Sequence, residues 1–442
     1  MDYRAKVERL EREMREAKGS VQLRKNTTNL FRRKDTSRGA KIDVRDFNNV
    51  IEVNAKEGWV NVEGMTTFEK LVDECLKYDV MPAVVPELKS ITIGGATSGL
   101  GIEASSFRYG LVHESLIEMD ILLPNGTVVT ARPDNEYREL FFGIPNSFGT
   151  LGYVMRVKAL AVPVKKFVHI KHERFEDRDP YFETMRSYMD QSDIDFLEGE
   201  IFSENEMYIT TGTFIDTAPY TSDYTYMNIY YKTIRTRTED YLSVHDFIWR
   251  WDTDWFWDSK FFGAEYPLMR RLLGKKRLNS IFYMKMLRLS RKPFFRFLGS
   301  FVRRKSEPVI QDIPIPVERA SEFLDFFQKE IGITPVWICP IGVYNSGHRF
   351  PLFSLDARKR YFNFGFWDIV KTRPELPLSH FNRLVEKKMM DVGGMKSLYS
   401  DSFFTKEEFW KLYDKRTYDD LKKKFDPNAK LKGMYEKCVL KV

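Results

Sequence analysis

Alternation of apolar and polar positions predicts a β-rich region in the first 163 residues. The strands are expected at 21–33 (running into a polar loop), 41–44, 49–54, 58–62, 116–123, 127–131 and 153–160. Helical spacing predicts one helix over 5–18, which Gly19 ends, and another that Thr66 or Thr67 caps. Asn125-Gly126 predicts a tight hairpin turn. The glycine-rich stretch 91–110 shows no clear period, so we expect a loop there.

The pattern changes after Pro163 and the basic pair Lys165-Lys166, which predicts a domain boundary between 1–164 and 165–442. Residues 167–260 are rich in Tyr, Trp, Phe and Asp. A basic-aromatic segment, 266–306, carries thirteen Lys and Arg and no acidic residue. The remainder predicts a helix near 317–330, strands at 336–339 and 360–366, and helices to the end.

Composition narrows the class of protein. Of 442 residues, 43% are hydrophobic, which excludes a disordered chain. The net charge of +7 is too small for a nucleic-acid-binding protein. Three cysteines lie far apart without a CxxC pair, so we predict neither a disulfide scaffold nor a metal site, and a reducing, cytoplasmic location. No apolar run is long enough to span a membrane, and the first residues are charged throughout.

The sequence Gly99-Leu-Gly-Ile-Glu-Ala104 matches a dinucleotide-binding fingerprint, G-x-G-x-x-A. A Rossmann unit needs a helix that begins inside that motif, whereas here Gly110 follows without an apolar stripe, so we reject that interpretation. Two interpretations stay open on spacing alone. The glycines form an anion-binding loop, with the polar loop Arg24–Asn29 clamping phosphates from the other side, or they form a bulge and surface turns.

Several motifs resemble a known flavoprotein family. They are TIGG and GIEASSFRYGL in the glycine-rich stretch, NSFGTLGYVMRV, PVWICP and LYSDSFFTKEEFW. The chain resembles the p-cresol methylhydroxylase/vanillyl-alcohol oxidase (PCMH) type of FAD-binding flavoprotein. Within that superfamily it is most similar to the Δ24-sterol reductase (DIMINUTO) family. The run FIWRWDTDWFW is more similar to bacterial flavoproteins of the same group, some of which reduce methylene branches of fatty acyl chains.

The resemblance implies an α+β fold: a two-subdomain PCMH-type FAD-binding domain, then an α+β cap domain, with the C-terminal tail returning to the flavin domain. It implies non-covalent FAD, with NADPH as hydride donor and an isolated lipid C=C bond as substrate; no histidine lies in either loop. The implied FAD contacts are Arg24, Lys25, Asn26, Thr27, Thr28, Asn29, Pro86, Ile93, Gly94, Gly95, Ser98, Gly99, Gly101, Ile102, Ser105, Ser106, Gly149, Gly152 and Val154.

Reduction of an isolated C=C bond also needs a proton donor, and polar residues set among the aromatics of the cap are the candidates. They are Tyr399, Asp401 and His380, with Tyr361 and Asn363 as further possibilities. Two rival functions stay open: an FAD-dependent alcohol oxidase or dehydrogenase, and a non-catalytic lipid-binding protein with a flavin fold.

The basic-aromatic segment predicts a surface that docks on anionic membranes, since its charges attract lipid headgroups and its aromatics enter the interface. Arg303, Arg304 and Lys305 are the charges expected to contribute most directly. The alternative is a solvated basic helix pair that packs its apolar face on the protein. The sequence lacks the N-terminal membrane segment of the sterol enzymes, so we expect peripheral attachment.

Overall fold

The computed structural model describes residues 2–28, 31–32, 39–290, 306–373 and 375–441. The predicted α+β class is confirmed, because two largely antiparallel sheets carry helices on their faces and edges. Within the described residues, no helix is both long and apolar enough to cross a membrane. Arg303, Arg304 and Lys305 of the predicted docking surface lie outside the described residues, as does Asn29 of the predicted phosphate loop.

The first sheet comes from the N-terminal part of the chain and has the order β3-β4-β8-β6-β7, with β5 paired to β8. A separate parallel pair, β1-β2, precedes it. The bounds are β1 Val21–Arg24, β2 Ala40–Asp43, β3 Val50–Asn54, β4 Trp59–Glu63, β5 Val80–Pro82, β6 Leu116–Leu122, β7 Val128–Ala131 and β8 Tyr153–Pro163. Seven of these strands coincide with predicted ones, although β1 covers only the start of the predicted 21–33, and β5 was not predicted. In β4 and β8, apolar residues alternate toward a buried face.

The second sheet is antiparallel throughout and has the order β12-β9-β11-β10-β14-β15-β13. Its bounds are β9 Phe167–Phe175, β10 Phe196–Ser203, β11 Glu206–Ile215, β12 Glu239–Ser243, β13 Ser306–Pro316, β14 Val336–Ile341 and β15 Tyr361–Lys371. Every strand of this sheet follows Pro163, and every strand of the first sheet precedes Phe167. The division into domains 1–164 and 165–442 remains a prediction.

Helices cover both sheets. Their bounds are α1 Tyr3–Glu16, α2 Phe68–Cys75, α3 Ile93–Gly99, α4 Ser106–Tyr109, α5 Arg138–Gly143, α6 Arg178–Tyr188, α7 Tyr230–Ile234, α8 Val244–Ile248, α9 Pro267–Leu273, α10 Ser280–Ser290, α11 Ala320–Glu330, α12 His380–Asp391, α13 Lys406–Leu412 and α14 Lys415–Phe425. Thr67 caps α2, accepting from the Lys70 N–H. Asn125-Gly126 lies in the turn between β6 and β7, where Gly126 takes a φ of +82°.

The expectation of a loop throughout the glycine-rich stretch is wrong, because α3 occupies Ile93–Gly99. Thr92 caps this helix with its hydroxyl, and Phe148 donates its N–H to the Ser98 carbonyl. Glycine is a poor helix former, so this local cap and this tertiary contact hold a helix that local propensity disfavours. Beyond Gly99 the chain leaves the helix, and Leu100 takes a φ of +67°. The helix that a Rossmann motif requires does not begin at Gly101.

The C-terminal segment packs against the first sheet and its loops. Val21 donates its N–H to the Lys430 carbonyl (3.0 Å), while the Lys422 ammonium donates to the Thr150 carbonyl (2.8 Å). The ammonium of Lys437 donates to the Phe148 carbonyl (2.7 Å). Residues far apart in sequence therefore meet around the 149–152 turn.

Candidate functional site

A cavity of about 640 Å³ extends from the glycine-rich segment to the aromatic residues of the second sheet. Most of the predicted FAD contacts line it: Arg24, Lys25, Thr27, Thr28, Pro86, Gly94, Gly95, Ser98, Gly99, Gly101, Ile102, Gly149, Gly152 and Val154. The cavity volume falls in the range typical of small-molecule and cofactor sites. Two loops that are far apart in sequence therefore face one cavity.

Four of the remaining predicted contacts do not line this cavity, and Asn29 is not described. The Ser105 hydroxyl donates to the Ala83 carbonyl (2.7 Å), and that of Ser106 accepts from the Glu103 N–H (3.1 Å). Both hydroxyls thus bond to the protein's own backbone, that of Ser106 within its local turn and that of Ser105 to the segment after β5. Ile93 is buried in the core, and Asn26 lies in an adjoining pocket of about 230 Å³.

The amino end of α3 cannot supply the anion-binding amides that the glycines suggest. The N–H groups of Ile93 and Gly94 already donate to the Thr66 and Gly64 carbonyls, at 3.0 and 2.8 Å. The Gly95 N–H donates to the Thr92 hydroxyl (3.3 Å). These donors are satisfied by the protein itself, so they are not the ones that face an incoming anion.

The three residues after α3 offer a better set of donors. Leu100, Gly101 and Ile102 line the cavity, and within the described residues their N–H groups donate no hydrogen bond. A Cβ on Gly101 would lie 2.6 Å from the Pro86 side chain and 2.8 Å from that of Val112, so this position requires glycine. Consecutive amides of this kind form an anion-binding concavity.

Positive charge reaches the cavity from Arg32 and from the C-terminal segment, a contribution that the sequence patterns did not indicate. Arg32, Lys432 and Lys437 line the cavity. The buried Arg32 guanidinium donates to the Leu398 carbonyl (2.9 Å) and lies 4.5 Å from the Phe148 ring centroid. The two lysines lie about 400 residues beyond the first loop, and no motif links them to it.

The other end of the cavity is aromatic. Its walls include Trp255, Phe256, Trp337, Trp367 and Phe353. Trp255, Phe256 and Trp257 have φ values of +48°, +49° and +61°, a left-handed turn of three non-glycine residues. Each such residue costs about 1–2 kcal/mol, so surrounding packing must hold the turn in place. These walls suit a flat or extended apolar ligand.

Acidic and hydroxyl groups stand among these aromatics. The Tyr399 hydroxyl accepts from the Trp367 indole N–H (3.0 Å) and is hydrogen-bonded to Asp312, which also accepts from the Asn363 amide (2.7 Å). Burial raises the pKa of Asp312 to about 6, and burial and then the Asp312 charge raise the pKa of Tyr399 well above its usual value. Tyr399 thus holds its proton at neutral pH.

A second buried acid, Asp258, lines the same cavity and follows the left-handed turn directly. Burial raises the pKa of its carboxyl well above the usual value, and Oδ1 has no hydrogen-bond partner within the described residues. The sequence did not indicate Asp258 or Asp312, because no motif or spacing sets either residue apart from the other acidic residues.

Two predicted catalytic candidates lie elsewhere. The Asp401 carboxylate pairs with the Lys441 ammonium at 2.8 Å. His380 is the first residue of α12, half-buried against Phe381, and neither residue lines the cavity. Tyr361, a further candidate, is also outside the lining, and its hydroxyl accepts from the Asp356 N–H (3.0 Å). Of the predicted candidates, Tyr399 and Asn363 line the cavity.

Helices α9 and α10 cover the aromatic end of the cavity. On their inner side Tyr283 packs on Trp255, with ring centroids 6.0 Å apart. The Arg288 guanidinium donates to the Thr28 carbonyl (2.7 Å), which joins α10 to the first loop. Their outer side carries exposed apolar residues, among them Leu268 (67% exposed) and Leu272 (66%).

Comparisons with known proteins agree with this site. The model of the FAD binding domain family matches residues 3–132. The chain is 26% identical over 430 residues to the Delta(24)-sterol reductase of Homo sapiens, covering 91% of this chain and 78% of that protein. It is 24% identical over 441 residues to the Delta(24)-sterol reductase of Arabidopsis thaliana, covering 91% and 77%. Cytokinin dehydrogenase 8 of Oryza sativa subsp. indica is 27% identical over 167 residues, 37% of this chain and 29% of that protein.

Proposed function

We propose that this FAD-dependent oxidoreductase, which is similar to Delta(24)-sterol reductases over most of its length, reduces an isolated C=C bond of a lipid with NADPH as hydride donor. A sterol side chain and a methylene-branched fatty acyl chain are the candidate substrates. The observation that carries the proposal is the extent of the similarity, which includes the aromatic cavity as well as the FAD binding domain.

The donor set of the cavity fits FAD. Amides of Leu100–Ile102, hydroxyls of Thr27 and Thr28, and the Arg32 guanidinium suit a diphosphate. No histidine or cysteine stands among the described residues that line the cavity, which supports non-covalent binding. When bound, FAD supplies hydride transfer.

The chain's own part in the reaction is to exclude water and to give a proton. The buried side chains of Trp255, Trp337 and Trp367 line the aromatic end of the cavity, where we expect them to exclude water from the alkene. Tyr399 donates the proton to the alkene carbon that does not receive the hydride, and Asp312 in its acid form replaces that proton on the hydroxyl. The reaction balances, because one hydride and one proton together saturate one C=C bond.

Anaerobic mixing experiments separate this function from its main rival. Because part of the chain is also similar to a cytokinin dehydrogenase, the rival function is that of an FAD-dependent dehydrogenase or alcohol oxidase. We expect NADPH to bleach the flavin absorbance rapidly, and an alkene-bearing lipid to restore it. Bleaching by simple alcohols but not by NADPH would support the rival instead, and a pure protein that takes up no FAD would indicate a lipid-binding role.

We also propose that the outer side of α9 and α10 docks on an anionic membrane, from the cytoplasmic side. Exposed Leu268, Leu272 and Ile281 lie among the exposed basic residues Arg271, Lys275, Lys276, Arg277, Lys285 and Arg288. Acidic residues are absent from the sequence between Glu265 and Glu307, so nothing in this segment offsets its charge. A lipid alkene must leave a bilayer to react, and this surface covers the cavity that would receive it.

Charge reversal tests the docking surface. The triple change Arg271→Glu, Lys276→Glu and Arg277→Glu should lower the affinity for vesicles of phosphatidylcholine and phosphatidylserine at least ~10²-fold, since each basic residue contributes about 1 kcal/mol near the surface. Co-sedimentation measures the bound fraction. The matched control reverses three exposed charges on other elements, Lys171, Arg174 and Lys329, and should change the bound fraction little. Equal losses in both triple variants would show that only the net charge matters.

A further inference from the structure

A cluster of buried charged side chains joins the two sheets beneath the cavity. The Arg250 guanidinium lies 3.2 Å from a Glu87 carboxylate oxygen, 2.8 Å from Glu103 and 2.7 Å from Glu198. Glu200, on the same strand as Glu198, is also buried. Glu87 and Glu103 come from the N-terminal part of the chain. Glu198 and Glu200 lie on β10 of the second sheet, and Arg250 lies in the turn that follows α8.

The cluster has more carboxyl groups than its one guanidinium can neutralise. Burying uncompensated charge is costly, so carboxyl groups in this position keep protons instead. Burial, and then the neighbouring Glu103, raise the pKa of Glu87 well above its usual value, and burial raises the pKa of Glu103 to about 7. Within the described residues, Oε2 of Glu87 and Oε2 of Glu103 have no hydrogen-bond partner. Free acceptor positions therefore remain inside a proton-bearing cluster.

The cluster reaches both the cavity and the protein surface. Glu87 lines the cavity, and Trp337, which also lines it, donates its indole N–H to Glu198 (2.9 Å). Toward solvent, Asp252 faces Glu87, and its carboxylate lies 3.5 Å from the Lys89 ammonium. Lys89 is 21% exposed, so this side of the cluster is open to exchange with water. The charged groups that face Glu87 are thus Glu103, Arg250, Glu198 and Asp252.

We propose that this glutamate cluster is a proton store that supplies the cavity through Glu87. The inference rests on the proposed function, because reduction of a C=C bond consumes one hydride and one proton in each turnover. The tryptophan and phenylalanine side chains that line the aromatic end of the cavity have no acidic proton to give, so a buried acid that reaches the lining is a source of that proton. Glu87 releases a proton through the cavity to Asp312, which is left as a carboxylate after it has reloaded Tyr399. Arg250 stabilises the resulting Glu87 carboxylate, and water at the Lys89 side restores its proton.

Infrared spectroscopy tests whether the glutamate cluster holds protons, and the measurement needs no catalytic turnover. At neutral pH the purified holoprotein should show the C=O stretching band of protonated carboxyl groups, and Glu87→Gln should remove part of that band. Gln matches Glu in size and carries no charge, so we expect the variant to fold. Loss of the band is a spectroscopic signature that a merely structural role for Glu87 would not produce. A wild-type spectrum without such a band, or one that Glu87→Gln leaves unchanged, would overturn the proposal.

The kinetics of flavin reoxidation then test whether Glu87 delivers the proton to the cavity. In Glu87→Gln, reoxidation of the reduced flavin by the lipid should slow about 10²-fold, whereas reduction by NADPH should keep its rate. Glu87→Asp retains a carboxyl group and should recover most of the rate. The matched control is Glu114→Gln, a change at another buried glutamate that lies outside the cluster and does not line the cavity, and it should stay within about twofold of wild type. Equal slowing in Glu87→Gln and Glu114→Gln, or none in Glu87→Gln, would contradict delivery, whereas a wild type that reduces no lipid would instead refute the proposed function.

Discussion

Replacing Tyr399 by Phe is expected to slow lipid C=C reduction about 10²-fold or more, the usual contribution of a positioned acid. The change removes the hydroxyl that contacts Trp367 and Asp312 but keeps the ring that packs against Phe31 (5.8 Å between centroids). Lipid binding should therefore persist while the chemical step fails. Single-turnover reoxidation of the reduced flavin measures that step, and a lower kcat with little change in KM is the expected signature.

Tyr413→Phe is the matched control for this prediction. It removes another buried tyrosine hydroxyl, which donates to the Lys396 carbonyl (2.8 Å), at a position that does not line the cavity. Its rate per folded molecule should equal that of the wild type. If Tyr399→Phe also retained the full rate, Tyr399 would not be the proton donor, and Asp258 would be the acid to test next.

The pH dependence of the wild type follows from Asp312. Its pKa is raised to about 6, so the acid form that reloads Tyr399 is lost as the pH rises through that value. The rate of lipid reduction should accordingly fall as the pH rises above 6. The rate of an enzyme that needs a carboxylate base would instead rise over this range. Asp312→Asn should abolish this pH dependence, and a pH profile that rises through the same range would contradict the assignment.

The second large effect concerns stability. Arg250→Met should lower the free energy of unfolding by about 3–5 kcal/mol, because it leaves the buried carboxyl groups of Glu87, Glu103 and Glu198 without their cation. Urea unfolding followed by tryptophan fluorescence measures the change. Lower pH should partly restore stability, since protonated carboxyl groups no longer need the guanidinium.

The same substitution at Arg235 provides the control. Arg235 makes a two-point pair with Glu206 at the surface (2.7 Å), where solvent weakens the interaction. Arg235→Met should cost at most about 1 kcal/mol. A similar cost at both positions would mean that the buried cluster is no more dependent on its cation than an exposed pair.

Local patterns predicted the elements of this fold well where the signal lies within one segment. The β6–β7 hairpin follows from Asn125-Gly126, and α2 follows from Thr67 and its apolar spacing. The helix α3 did not follow, because the Gly64 and Thr66 carbonyls and the Phe148 N–H that hold it are tertiary partners, although its cap, Thr92, is local. Propensity alone places glycine in a loop.

The site shows the same division between local and distant signals. The glycine-rich segment and the Arg24–Thr28 loop could be read from motifs, and most of their predicted contacts line the cavity. Arg32 and Lys437 meet there only because the C-terminal tail returns, which no local pattern encodes. The sequence motif singled out Asp401 and not Asp312, yet Asp312 is the acid that faces Tyr399, whereas Asp401 pairs with Lys441.

Isotope transfer to a lipid is the most direct measurement of the central claim. Enzyme loaded with FAD, NADPH deuterated at its transferable hydrogen and an alkene-bearing lipid extract should be incubated without oxygen and analysed by mass spectrometry. The account predicts a lipid that has gained one deuterium and one hydrogen across its former C=C bond, or two hydrogens if the flavin-held deuteron exchanges with solvent. Unchanged lipids beside a flavin that NADPH has bleached would contradict it.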